Sequence, residues 1–129
     1  MGKTMVRGAL LLVASAAMLI PTTAANASGG SDAVIDRGSC SGSSTFKLKA
    51  SREDAGIEVQ FEIEGRAGQT FRVRLLDNGD RVFGARRTTN AAGELRVRRV
   101  IDNRAGADHI VARARNVDTG ETCVGSVTI

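Results

Sequence analysis

Between residues 57 and 64 the chain reads Ile-Glu-Val-Gln-Phe-Glu-Ile-Glu, with an apolar side chain at every second position. Successive side chains of a strand point to opposite faces, so this run forms a strand with one apolar face and one acidic face. Wound as a helix, the same residues would scatter around the axis, and their β-branched and aromatic types favour the strand. A two-faced strand needs neighbours on both sides and an apolar layer to cover it. The rest of the chain is read as supplying them.

Residues 45–50 set Phe46, Leu48 and Ala50 against Lys47 and Lys49, a half-buried first strand. After the 57–64 strand, residues 70–76 place Phe71, Val73 and Leu75 on one face and Arg72 and Arg74 on the other. Asp77-Asn78-Gly79-Asp80 follows, and Asn-Gly is a strong hairpin signal because its turn needs positive φ at both central residues. Residues 81–88 return, with Val82 and Phe83 adjacent, a bulge expected at Gly84 and the inward face left open. Residues 94–101 turn Leu95 and Val97 inward, and the doublets Arg98-Arg99 and Val100-Ile101 suggest a second bulge. Residues 108–117 bury Ile110, Ala112 and Ala114 and expose Val111, Arg113 and Arg115. Residues 121–129 put Cys123, Gly125, Val127 and Ile129 on one face. About seven short strands with evenly spaced turns predict an all-β, two-sheet antiparallel sandwich.

The start of the chain reads as a secretory leader over residues 1–27. Lys3 and Arg7 precede an apolar run over 9–20, Pro21 ends it, and Ala25-Asn26-Ala27 supplies a small-x-small cleavage pattern. The run is shorter than the roughly 20 residues a membrane-spanning helix needs. No lipid-attachment cysteine or hydrophobic tail follows, so the mature product is expected to be secreted, extracellular, monomeric and without a membrane span. Residues 28–44, rich in Ser, Gly and Asp and containing Cys40, read as a flexible lead-in to a domain over 45–129.

Two cysteines in an exported chain imply one disulfide, Cys40–Cys123, the sole pairing open within the chain. It would close a loop of over 80 residues, for which the chain-entropy ceiling is roughly 4–5 kcal/mol.

The run Ala112-Arg113-Ala114-Arg115-Asn116, a Thr-Gly turn and a last strand resemble the final hairpin of immunoglobulin-like and fibronectin-like domains. The chain departs from antibody-type domains in having no Trp and in joining its first and last segments by sulphur. As a whole it resembles small secreted actinobacterial proteins that carry no assigned activity. That likeness implies a compartment and an immunoglobulin-like fold and transfers no functional residue.

Candidate chemistry is sparse. The sole histidine, His109, follows Asp108, but no Gly-x-Ser-x-Gly turn presents a nucleophile. Glu58, Glu62 and Glu64 lie on one solvated face, whereas paired-acid hydrolysis sets its two carboxyls across a cleft. Asp77-Asn78-Gly79-Asp80 lacks the later Glu and the ligand spacing of a calcium loop. Four Phe, no Trp and no Tyr leave no stacking platform for sugars or single-stranded nucleic acid. The expectation is a non-enzymatic protein with no cofactor, no metal and no specific nucleic acid.

The bases carry the remaining signal. Beyond residue 27 all but Lys47 and Lys49 are Arg, and loss of the two leader bases brings the precursor's net +4 to +2. In immunoglobulin-like order the first, second and fifth of the seven strands share a sheet, and the other four form the second. The first sheet then sets Glu58, Glu62 and Glu64 between Lys47/Lys49 and Arg96/Arg98, and neutralises itself. The second sets Arg72 and Arg74 beside Arg113 and Arg115, with Arg81 and Arg87 at its edge. Those four arginines are the candidate anion-binding residues, facing an anionic cell-surface polymer or an acidic protein. The alternative is a small-molecule carrier, with room between the sheets left by Ala112, Ala114 and Gly125.

Overall fold

The computed structural model describes residues 32–129; the expected leader lies outside them. Among the described residues are eight strands: β1 (Val34–Ser39), β2 (Thr45–Glu53), β3 (Gly56–Glu64), β4 (Thr70–Asp77), β5 (Asp80–Thr88), β6 (Glu94–Ile101), β7 (His109–Asn116) and β8 (Thr122–Thr128). They form two four-stranded antiparallel sheets, ordered β1-β2-β3-β6 and β5-β4-β7-β8. The seven expected strands fall in the two expected sheets. No helix among the described residues is long and apolar enough to cross a membrane.

β3 lies inside its sheet, and its apolar row Ile57, Val59, Phe61 and Ile63 is fully buried. Register matches apolar side chains across strands: Phe61 stands opposite Leu48 on β2 and Val97 on β6, and Ile63 opposite Phe46 and Leu95. Phe71, Val73 and Leu75 of β4 and Ile110, Ala112 and Ala114 of β7 close the core from the other sheet. The small inward residues near β8 serve this packing. A Cβ on Gly125 would lie 2.8 Å from Cε2 of Phe46, whose ring occupies the space a side chain would take.

β1 is a difference from expectation. Residues 34–39 fall within the stretch read on composition as a flexible lead-in, yet they pair along their length with β2. Backbone groups make that ladder whatever the side chains, and the one-sided exposure follows from the pleat. β1 also closes one side of the sandwich, because Asp36 Oδ2 accepts from the backbone N–H of Ser126 on β8 (2.9 Å). Just beyond it, Ser41 and Thr122 exchange bonds between the Cys40 segment and β8. The Cys40–Cys123 disulfide (S–S 2.02 Å, 83 residues apart) therefore ties the first sheet to the second at this closed side.

The opposite side, between β5 and β6, shows what the two irregular segments do. The bulge sits at Val82 and not at Gly84: Leu75 pairs with Phe83 and Leu76 with Arg81, leaving Val82 as the extra residue. This shift turns Phe83 toward the core. β6 has no bulge, since its register with β3 runs unbroken from Glu94 to Ile101. The doublet arises because Arg99 stands at an inward position beside the open seam. Its guanidinium lies 5.0 Å from the Phe83 ring centroid, and that of Arg87 lies 5.7 Å away. A charge at an inward edge position is a common protection against strand-to-strand association. The Asn78-Gly79 turn takes positive φ at both residues (49° and 88°), as the hairpin signal requires.

Replacing Gly125 by Val should destabilise the domain by about 1–3 kcal/mol through overpacking against Phe46. Thermal unfolding of Gly125→Val, alone and combined with Phe46→Leu, checks this: the second change should recover part of the loss.

Candidate functional site

The outer faces of the two sheets differ in charge organisation. On the first, acids and bases are interleaved: Glu62 stands between Lys47 and Arg96, and the neutral Gln60 between Lys49 and Arg98, while Glu64 stands opposite Glu94. Arg96 Nε lies 3.0 Å from Glu62 Oε1, and Arg98 Nη2 lies 2.6 Å from Glu58 Oε2. The Arg98 hydrogen bond, with a second from Gln60, holds the Glu58 carboxyl down at about 2. This face carries its own counter-ions.

The second face does not. Antiparallel register sets Arg72 of β4 directly opposite Arg115 of β7, and Arg74 opposite Arg113. The four anticipated arginines are thus brought together as two side-by-side pairs, all exposed. On the other flank Arg72 faces Arg86 of β5, while Arg74 faces Gly84. Arg81 folds over that glycine, its Cδ 3.6 Å from where a Cβ would stand. The surface depression here, about 290 Å³, is lined by Arg72, Arg74, Arg81 and Arg86. The six guanidinium groups form two rows of three, and none makes an ion pair among the described residues.

One member differs from expectation. Arg87 was placed on this face, but the extra residue at Val82 inverts the alternation downstream, so Arg86 faces out and Arg87 turns to Phe83. Thr70 and Thr88, joined at 2.9 Å, border the arginine rows at one end. Leu76, opposite Val111, borders them at the other.

Like charges this close repel. At about 6 Å in water the interaction is roughly 0.7 kcal/mol per pair before salt screening. Arg115 Nη2 lies 3.4 Å from where a Cβ on Gly120 would stand. An anion laid over the rows would relieve this repulsion and receive planar, forked donors.

The other candidates are dispersed. The His109 ring faces Thr128 (Nδ1 to Oγ1, 3.0 Å), and its backbone N–H donates to Asn78 Oδ1. No group of three His, Cys, Asp or Glu suited to a metal lies among the described residues. Ala112, Ala114 and Gly125 line none of the surface depressions described here. A depression that touches both sheets opens at the β5–β6 seam, about 250 Å³, beside Asp77, Val82, Arg99 and Arg104.

Beside that depression is a feature the sequence reading missed: the buried acids Asp77 and Asp108. Asp77 was read as part of a turn, although it continues the inward alternation of Phe71, Val73 and Leu75, and that parity was the available signal. Arg104 Nε lies 3.3 Å from Asp77 Oδ2, and its Nη1 donates to Asp80 (2.8 Å). As two carboxylates, Asp77 and Asp108 would leave three buried oxygens without hydrogen bonds. Burial, with the Asp108 charge next, pushes Asp77 up from its ordinary 3.8. A proton on Asp77 lets it donate to Asp108.

No protein-family model, curated protein or solved structure matches the chain.

Because the folded state raises the proton affinity of Asp77, the stability linked to that proton is present below pH 3.8 and falls as pH rises through the higher folded value. Asp77→Asn, which supplies the donor at every pH, should raise the unfolding temperature at pH 7 and flatten its decline above pH 3.8. Unfolding curves across that range measure both effects.

Proposed function

We propose that this chain is an exported, non-enzymatic β-sandwich module that engages an anionic extracellular partner through the exposed face of β4, β5 and β7. One observation carries the reading. Six arginines stand in two rows without an acid partner among the described residues, while the other sheet pairs Arg96 and Arg98 with carboxylates. The face is solvated, so the core does not require those charges. Guanidinium groups suit an oxyanion surface, and their summed field steers a polyanion toward it.

The compartment is inferred from the leader pattern and from the disulfide, a bond that persists in oxidising surroundings. Immunoglobulin-like and fibronectin-like binding modules offer an analogy in the opposed order β2-β3-β6 and β5-β4-β7-β8. The partner that fits best is a cell-surface polymer, which meets the two rows with repeated charges.

Exchange of Arg72, Arg74, Arg113 and Arg115 for Gln should weaken binding to acidic cell-surface material by about tenfold or more at low salt. The remaining binding should depend less steeply on salt. Co-sedimentation with cell walls over a salt series measures both. Equal binding by the variant, or none by the unaltered protein, would overturn the proposal.

A further inference from the structure

Resting on that reading, we infer that the partner is a linear polyol-phosphate chain, running along β4 and β7, with two successive phosphodiesters clamped by the Arg72–Arg115 and Arg74–Arg113 pairs. Register supplies the geometry. Each pair is directly opposed across one antiparallel ladder, and the pairs are two residues apart on both strands. They therefore occupy equivalent positions in the ladder and repeat about 7 Å along it, with side chains about 5 Å apart within a pair. One phosphodiester over each pair meets a fork from either side, which serves both of its free oxygens. Three carbons between phosphates put six bonds between successive phosphorus atoms, and six extended bonds span about 7 Å, as two strand residues do. In charged polysaccharides the spacing is set instead by the sugar rings.

The borders limit the clamp to two rungs. Beyond Arg74–Arg113 the next opposed pair is Leu76–Val111, and beyond Arg72–Arg115 the strands end near Thr70 and Val117. A third phosphate along the same line has no arginine pair to meet. Arg86 and Arg81 flank the rungs on the β5 side and add charge to each.

Single-stranded nucleic acid has a similar three-carbon repeat, but its binders hold the bases on exposed rings. Here Phe46, Phe61 and Phe71 are in the core, and Phe83 packs against it beneath Arg87 and Arg99. A polyol linker makes no such demand.

The test is calorimetric titration, at low salt, of synthetic glycerol-phosphate oligomers carrying one to four phosphates. Affinity should rise about tenfold or more from one phosphate to two, as the second rung acts within the same molecule, and less than about threefold from two to four. Arg74→Gln with Arg113→Gln should abolish the step while single-phosphate binding persists; an unchanged amide NMR spectrum away from the face would show an intact fold. A smooth rise with length, an equal response to dextran sulfate of matched charge, or tighter binding of oligothymidylate would overturn the inference. Dextran sulfate binding without the phosphate step would leave the broader reading standing, whereas no polyanion binding at all would remove both.

Discussion

The inner face of β3 is the contact on which the molecule depends. Ile57, Val59, Phe61 and Ile63 are each removed from water, covered by neighbours in their own sheet and by β4 and β7 across the core. Burying such side chains contributes roughly 1.5–3 kcal/mol apiece. Period-two geometry then makes every inward choice an outward one as well. With Ile57 to Ile63 inward, Glu58, Gln60 and Glu62 must lie on the opposite face, within reach of Lys47, Lys49, Arg96 and Arg98. The same rule on β4 and β7 drives Arg72, Arg74, Arg113 and Arg115 to the surface when Phe71, Val73, Ala112 and Ala114 fill the core. The arginine face is thus a direct consequence of how the core is patterned.

The two margins of the sandwich are handled differently. At β1 and β8 the sheets are joined by the disulfide, by Asp36 on the Ser126 amide and by the Ser41–Thr122 exchange. At β5 and β6 the seam is covered by Phe83 and two guanidinium groups. A single extra residue, Val82, makes that covering possible. Without it Phe83 would point to solvent, Arg86 would leave the arginine face and Arg87 would join it. One bulge therefore decides both how the seam is sealed and which arginine stands beside Arg72 and Arg115.

Charge is partitioned by the same architecture. The first sheet pairs Glu58 and Glu62 with arginines, and the depressed Glu58 carboxyl records how well Arg98 and Gln60 do so. Asp77 and Asp108 lie at the seam end of the core, where burial raises the proton affinity of Asp77 and Arg104 offsets part of the remaining charge. The arginine face of the second sheet lacks any equivalent among the described residues. Its uncompensated surface is solvated, and the ladder holds its arginines in register.

Much of this was legible in the residues themselves. Alternation is local, so the seven strands from Phe46 onward, their inward rows and the outward Arg72, Arg74, Arg113 and Arg115 follow from neighbouring side chains alone. The cysteine pair was equally determined, because two thiols admit one intramolecular bond. Tertiary structure decided what depends on distant partners. β1 is a strand because β2 and β8 offer hydrogen bonds to a segment whose own composition is loop-like. The bulge settled at Val82 because Phe83 had a place in the core, and that exchanged Arg87 for Arg86. Arg99 found its inward place only because an open seam lay beside it, and Asp77 and Asp108 became a buried pair through packing between remote turns. Local periodicity encodes which way a side chain points. Only the assembled sheets determine what it meets there.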